Sequence, residues 1–489
     1  MLTWADVGNG WRNLFLLSCA VQALGLGVFF AARRLVGKSR VASFLLGAAV
    51  TPLVQFLWML LMGAVWAHAP KLLLIGAPPA LAAAYLLVWL LRRLRRVPAM
   101  VKAAWRRGIR WFAMDRGGLI CLTLALALTV VFLPICVRLC IQNNNTYTDA
   151  GEYLAMGQRY CEDRDLGALL SKDDGDGSFR PNSHFPAMEL YFAYGLLHTS
   201  QGQVGYPYDK PVFTGIGLLL FYFAAAYGAA LWLVTKGKPR WLALGVLLLN
   251  LVPDLYFSAN GAPRDIYRLL ATMALFGFLW SIRPDGSWKR MLGKAALWLI
   301  VCFACMATHV VMFVVLPFMV AAWVLFCFFE AWAQKMAHPW RTLGRAALLA
   351  LAGAAGTVAA FAGNIACYLK TGEMSPFRLM TTYTSAPWFE LYEKMEYRST
   401  EASTTVNFFK SYNDVLMKWQ TPIGVWAAAL AVLIVVIGLI ALLARRRRGL
   451  SENTSRLWGA ALLLLLTLLP MTGLIDTPVY SFSGAFLKL

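Results

Sequence analysis

Charge is what this chain has least of. Asp, Glu, Lys and Arg make up 14% of the 489 residues, and 24 acidic residues are outnumbered by 45 basic ones. A chain so poor in charge and 60% hydrophobic is neither disordered nor an ordinary soluble domain. Histidine is rare too, with five in all. The nine cysteines fall mostly inside apolar runs, where cysteine is ordinarily a small buried residue. Only Cys161 lies clearly in a polar loop, with Cys136 and Cys140 at the end of the preceding run as candidates for an external disulfide. There is no internal repeat of roughly 20 to 50 residues, and no low-complexity linker marks a second, soluble domain. The apolar runs are almost free of internal charge. Transporters place ionisable groups at mid-span and often carry duplicated halves, so both absences speak against transport.

What the chain does have is long apolar stretches. A bilayer needs roughly 20 residues per helical crossing. Runs of that order recur at Leu14–Ala32, Val41–Ala67, Leu72–Leu91, Leu119–Ile141, Pro211–Val234, Trp241–Phe257, Ile266–Ile282, Ala295–Thr308, Val310–Phe329, Ala346–Tyr368, Ile423–Leu443 and Leu457–Leu474. They predict an all-α polytopic membrane protein of about twelve transmembrane helices. Ala295 to Phe329 is too long for one crossing and basic at both flanks, which predicts a short hairpin turning near Thr308 and His309. No small-residue cleavage site follows the first run, which reads as a retained span.

The formal charge of +21 would suggest nucleic acid in a soluble domain. Here Lys and Arg gather at the ends of apolar runs, so they read as topology signals and no nucleic-acid partner is expected. The basic loops alternate from Arg33–Arg40 through Arg92–Arg116, Lys236–Arg240, Arg283–Arg290 and Lys335–Arg341 to Arg445–Arg448. This set is expected to be cytoplasmic, which puts the N-terminus and the long loops 142–210 and 369–422 outside. Arg92–Arg116, with Trp105 and Trp111 interleaved, reads as an amphipathic helix lying on anionic membrane lipid.

Against this basic and apolar background, the loop 142–210 carries ten Asp and Glu against five Lys and Arg. Asp149, Glu152 and Tyr153 stand at offsets of zero, three and four, so a helix puts them on one face, with Met156 and Tyr160 continuing it. Thr148 or Asp149 with Glu152 also fits a capping box, and a capped carboxylate is a rigid one. Downstream, Asn182-Ser183-His184-Phe185-Pro186 precedes the stretch Met188–Leu197, which is too short to span and reads as amphipathic, dipping into the interface. Lys172-Asp173-Asp174-Gly175-Asp176-Gly177 has closely spaced carboxylates but no Glu to complete a calcium loop, and reads as a solvated turn. Asn260 to Arg268 starts a helix with Arg264 and Arg268 on one face, an arrangement suited to phosphate, with a salt bridge as the bland reading. His309, at the hairpin turn, is either a further phosphate or substrate contact or a cap. Trp388 and Tyr392 belong to an aromatic-rich outer loop that either stacks on sugar rings or sits at the membrane interface.

In this order and on one membrane side, the Asp-x-x-Glu-Tyr-Leu stretch, the His-x-Pro and the Arg-Asp-x-Tyr-Arg helix start resemble those of the GT-C superfamily. These are integral membrane glycosyltransferases that use polyprenyl-phosphate sugars, and the similarity is a distant one to the mannosyl-, arabinosyl- and aminoarabinosyl-transferase group. The resemblance covers roughly Leu119 to Phe329. It implies a polyprenyl-phosphate-linked sugar donor, a glycan, lipid or protein acceptor in the cell envelope, and transfer with inversion.

Under that resemblance Asp149 is the general base, with Glu152 as the alternative. Arg264 and Arg268, with His184 or His309, stabilise the departing lipid phosphate, and Tyr153, Asn182, Trp388 and Tyr392 contact acceptor or sugar. No cofactor is required, since arginines suffice for a monophosphate leaving group; a divalent cation is the less favoured option. The layout expected is an N-terminal three-span extension with a basic surface helix over 1–117, a catalytic membrane core over 118–345, and C-terminal spans with the aromatic loop over 346–489. The location implied is the inner (plasma) membrane, multi-pass, with the active site on the extracytoplasmic side. An O-antigen-type polysaccharide polymerase or ligase would share the long outer loops and arginines but join two lipid-linked glycans. A lipid-linked sugar transporter or flippase is the third reading.

Overall fold

The computed structural model describes residues 10–33, 39–66, 68–142, 156–162, 164, 166, 171–173, 179–181, 187–198, 210–250, 263–308, 312–333, 339–362, 432–438 and 440. The described chain is helical apart from one short ribbon. Its helices are α1 (Gly10–Arg33), α2 (Arg40–Ala49), α3 (Thr51–Val65), α4 (Lys71–Leu91), α5 (Val97–Met114), α6 (Arg116–Gln142) and α7 (156–162). They continue as α8 (Ala187–Leu196), α9 (Lys210–Thr235), α10 (Pro239–Asn250), α11 (Pro263–Ser281), α12 (Trp288–Met306), α13 (Met312–Ala333) and α14 (Pro339–Ala360). The ribbon pairs β1 (Ser171–Asp173) antiparallel with β2 (Phe179–Pro181), Lys172 opposite Arg180. It brackets the acidic Lys172–Gly177 stretch, whose remaining residues lie outside the described set.

Four helical stretches are each long and apolar enough to cross a membrane: Leu14–Arg33, Lys71–Leu91, Gly217–Thr235 and Pro339–Ala360. Two bent pairs, α2 with α3 at 47° and α5 with α6 at 106°, raise the number to six among the described residues. Elsewhere the apolar helices are shorter, Ile266–Ser281 within α11 and Met319–Trp332 within α13. The expected spans Leu457–Leu474 and most of Ile423–Leu443 lie outside the described residues.

One expected span, Val41–Ala67, is a broken helix. Pro52 has no N–H to give to the carbonyl of Ala48 four residues back, so the ladder fails there. Thr51 Oγ1 donates to that same Ala48 oxygen at 2.7 Å, which satisfies the orphaned carbonyl and fixes the bend. Hydropathy runs unbroken through this point, so only the Thr-Pro pair marks it. α12 ends at Met306 and Ala307 and Thr308 form a turn after it, while the rest of the expected hairpin turn, His309 included, lies outside the described residues. Thr308 Oγ1 donates to Cys305 O at 2.6 Å and closes the end of α12.

The described helices sort into two compact units, divided within α11 after Gly277. The first holds α1–α7, α8 from Met188, α9, α10 and α11 as far as Gly277; the second holds the end of α11, α12–α14 and the ribbon. In the first, small residues let helix backbones approach. A Cβ on Gly47 of α2 would stand 2.5 Å from Leu26 O of α1, and one on Gly25 of α1 would stand 2.5 Å from Ala82 Cβ of α4.

At the other side of this unit the α5–α6 elbow is pinned to the α9–α10 turn. Trp111 Nε1 donates to Gly237 O at 2.8 Å, and Asp115 pairs with Arg240 at 2.9 Å. Asp115 also accepts from Gly118 N at 3.0 Å as the cap of α6. That backbone bond, with Arg240 beside it, holds the Asp115 carboxyl below its ordinary value.

In the second unit α12 and α14 meet at glycine as well, Gly356 lying against Leu299 O. Trp280 stacks on Phe326 at 5.3 Å with planes 8° apart. Arg283 lies over the same Phe326 ring at 5.1 Å and pairs with Glu330 at 2.9 Å. Cys302 and Cys305 form a Cys-x-x-Cys pair inside the apolar run of α12; neither is in a disulfide and both are buried.

Replacing Gly47 by Leu forces a side chain into the Leu26 backbone and is expected to cost about 3 kcal/mol or more, whereas Gly108→Ala, with open space around it, gains about 0.5–1 kcal/mol of helix stability. Thermal unfolding in one detergent should place the two variants on opposite sides of the parent.

Candidate functional site

α8 is the centre of the first unit. Pro186 precedes it, and from Ala187 to Leu197 no side chain exceeds 2% exposure. Its ten residues, AMELYFAYGL, show no polar stripe. A helix apolar all round belongs in an interior, so the expected amphipathic segment at the interface is corrected to a helix enclosed on every side.

The helices around α8 can be named from their contacts. A Cβ on Gly157 of α7 would stand 2.8 Å from Glu189 O and 3.0 Å from Phe192 Cβ. Cys161 Sγ, one turn on, donates to Ala193 O at 3.5 Å. Cys161 is a free thiol, so the candidate external disulfide does not form at this residue, and burial pushes the thiol up to about 12. Met156 and Tyr160, the continuation of the Asp149–Tyr153 face, are each 1% exposed. Beyond α7, Arg164 Nη1 donates to Ala69 O at 3.1 Å, tying the acidic loop to the start of α4.

On another side, Tyr191 meets Tyr267 of α11 with ring centroids 5.7 Å apart. Tyr267 Oη in turn donates to Pro52 O at 3.0 Å, at the α2–α3 bend. The first described turn of α7 and the N-terminal parts of α8 and α11 are thereby gathered in one unit. In sequence, each begins just after or within one of the three motifs: Asp149–Tyr153, His184–Pro186 and Arg264–Arg268.

α8 also joins a buried polar chain that sequence reading missed entirely. Tyr194 Oη lies 2.7 Å from Ser18 Oγ, accepts from Gln22 Nε2 at 3.3 Å and donates to Ile75 O at 3.3 Å. When its single proton goes to Ile75 O, Ser18 is the donor of the short bond. Gln55 Nε2 then donates to Gln22 Oε1 at 2.7 Å and to Cys19 Sγ at 3.4 Å. At the end of α8 the His198 imidazole lies with Nδ1 2.8 Å from Tyr194 O and its ring edge-on to Phe15 at 5.2 Å. Burial pushes His198 down to about 4, with nearby Lys71 acting the same way and the Tyr194 carbonyl opposing.

Among the described residues, two of the side chains that carry formal charge are buried: Glu189 in the first turn of α8 and Arg268 in α11, each 1% exposed. Charges inside apolar helical assemblies are rare and tend to be functional. Arg268 was singled out by its place at the start of an apolar run. Glu189 was not; its signal, a lone carboxylate inside an apolar stretch, was hidden among the other carboxylates of the loop. Arg264 lies in the first turn of α11, four residues before Arg268 and on the same helical face. Asp149, Glu152, Tyr153, Asn182, His184, His309, Trp388 and Tyr392 lie outside the described residues. Among the described residues no group of three or more His, Cys, Asp or Glu could hold a metal ion.

Two outcomes are expected from this geometry. Tyr194→Phe strands Ser18 and Gln22 beside a ring that can no longer hydrogen-bond, and should cost about 2 kcal/mol in unfolding. For His198 the folded value, about 4, lies below the ordinary 6.5; neutral imidazole is what the fold favours. Its contribution is fully present above pH 6.5 and is lost as pH falls toward 4, on the order of 3 kcal/mol at most. Thermal midpoints measured from pH 7.5 to 4 should fall steeply in the parent and more shallowly in His198→Gln.

Comparison of the chain with protein-family models, with curated proteins and with solved structures finds no match in any of the three.

Proposed function

We propose that this chain is an integral membrane glycosyltransferase of the GT-C type, which moves a sugar from a polyprenyl-phosphate donor to a cell-envelope glycan, lipid or protein acceptor. The observation that carries the reading is Arg268, a guanidinium 1% exposed inside an apolar helical unit. It shares a helical face with Arg264 at the start of α11. A permanent cation at the head of an apolar helix is suited to an anion, and its fork of N–H donors matches a phosphate. The gathering of the N-terminal parts of α7, α8 and α11 supports the reading further, because the carboxylate, histidine and arginine motifs border those parts in sequence. The twelve-span GT-C architecture, the plasma-membrane location and the outward-facing site belong to the same proposal.

In the reaction, the Asp149 carboxylate takes the proton of an acceptor hydroxyl as its oxygen attacks the anomeric carbon. The bond from that carbon to the phosphate oxygen breaks, its electron pair leaves with the lipid phosphate, and the configuration inverts. Arg264 and Arg268, with His184 or His309, stabilise the charge that accumulates on the leaving oxygen. Tyr153, Asn182, Trp388 and Tyr392 orient acceptor and sugar. No metal is needed for a monophosphate to leave against two arginines, and Glu152 substitutes for Asp149 if the register of the base differs.

A buried donor directed at developing charge is worth roughly 100- to 1,000-fold in turnover. Arg268→Lys is therefore expected to lower kcat by about that factor with KM little changed, and Asp149→Asn to abolish transfer while donor binding persists. The measurement is sugar release from radiolabelled polyprenyl-phosphate sugars by purified protein in nanodiscs. Full activity in both variants would refute the assignment.

A further inference from the structure

At one end of the first unit the termini of α1, α2, α4 and the start of α5 enclose a cavity of about 490 Å³ lined by Val28, Ala31, Ala32, Arg40, Phe44, Trp89, Arg93 and Met100. That size falls within the roughly 300–1,000 Å³ of small-molecule sites. Its walls are apolar and its charged groups are two arginines. We propose that this cavity binds the phosphate headgroup region of an anionic phospholipid, with Arg40 and Arg93 as the phosphate ligands.

Three observations converge on that occupant. First, the cavity lacks counter-charge: from Val7 to Met114 the chain contains no Asp or Glu, and neither Arg40 nor Arg93 takes part in an ion pair among the described residues. Second, Trp89 lines the cavity and its indole N–H, shielded from solvent, has no acceptor. Arg93 lies over that ring at 5.0 Å, so the guanidinium and the indole are held as a pair. A phosphate oxygen would take the N–H and neutralise the arginine together. Third, these groups stand at the ends of apolar helices long enough to span, the depth at which Trp, Arg and lipid phosphates meet.

The neighbouring face of α5 extends the same field. Lys102, Arg106 and Arg110 lie at successive i, i+4 positions and line a shallow basic depression together with Arg107. That face attracts anionic lipid in general. The cavity differs in having apolar walls for the first acyl carbons and an aromatic donor beside the cation. The α2 N-terminus, where Ser39 Oγ accepts from Ala42 N at 3.2 Å, adds its positive dipole end at Arg40.

The test uses the full chain, delipidated in an uncharged detergent. Native mass spectrometry and thermal unfolding are followed while phosphatidylglycerol, phosphatidylcholine or inorganic phosphate is added. One phosphatidylglycerol should remain bound and raise the unfolding temperature, with phosphatidylcholine and inorganic phosphate doing neither. Arg40→Ala/Arg93→Ala should weaken that binding at least tenfold, Trp89→Phe several-fold, and the surface control Arg106→Ala/Arg110→Ala by less than twofold. The conservative Arg93→Lys, which keeps the charge, covers the case in which the double variant fails to fold; it should retain weakened binding. Equal binding of phosphatidylcholine, equal competition by inorganic phosphate, or equal losses in the cavity and α5 variants would each overturn the proposal.

Discussion

The first unit depends on the enclosure of one short helix. α8 has ten residues, too few to cross a bilayer, and yet its side chains are removed from solvent on every side. Helices from four parts of the chain must reach it: α1 and α4 through the Tyr194 hydroxyl, α7 through Gly157 and Cys161, α11 through Tyr267. Such a helix cannot form first and wait, since ten residues are marginal alone in water; its stability is that of the surrounding packing. Gly157 is small because the α8 backbone at Glu189 passes where its side chain would be.

That enclosure also explains why polar groups accumulate around α8. Tyr194, Ser18, Gln22 and Gln55 hydrogen-bond to one another across three helices, and a network of this kind favours a single arrangement over sliding alternatives. Buried charge in the described part of the unit is confined to Glu189 and Arg268, on the two helices whose N-terminal parts meet through Tyr191 and Tyr267. A scaffold that spends so much packing on a short central helix keeps its charged groups at fixed positions.

Much of the helical framework was legible in the sequence, because hydropathy reports length and apolarity directly. α1, α4 and α9 follow their expected runs closely, whereas α14 starts at Pro339, ahead of its expected run at Ala346. The broken α2–α3 helix escaped because Pro52 and Thr51 act through one carbonyl, a local bond that hydropathy does not see. α8 was misread for a related reason: solvent exposure of a short apolar segment depends on what packs against it, and its neighbours lie 32 to 176 residues away in sequence. Arg268 was legible as a cation at the head of an apolar run. Glu189 was not, being one carboxylate of ten in its loop, and neither was the Ser18–Tyr194 contact, which no local pattern encodes. Arg40 and Arg93 were read only as topology signals, since their shared cavity appears when α2 and α4 are packed together.

The most direct test of the central claim is to follow the lipid product by phosphorus NMR with the purified protein and matched polyprenyl-monophosphate and polyprenyl-diphosphate sugar donors, with EDTA present throughout. A lipid-phosphate glycosyltransferase predicts free polyprenyl monophosphate, formed only from the monophosphate donor and only when acceptor is added. Turnover confined to the diphosphate-linked glycan would contradict it in favour of a polymerase or ligase. Release of neither lipid product would contradict sugar transfer altogether.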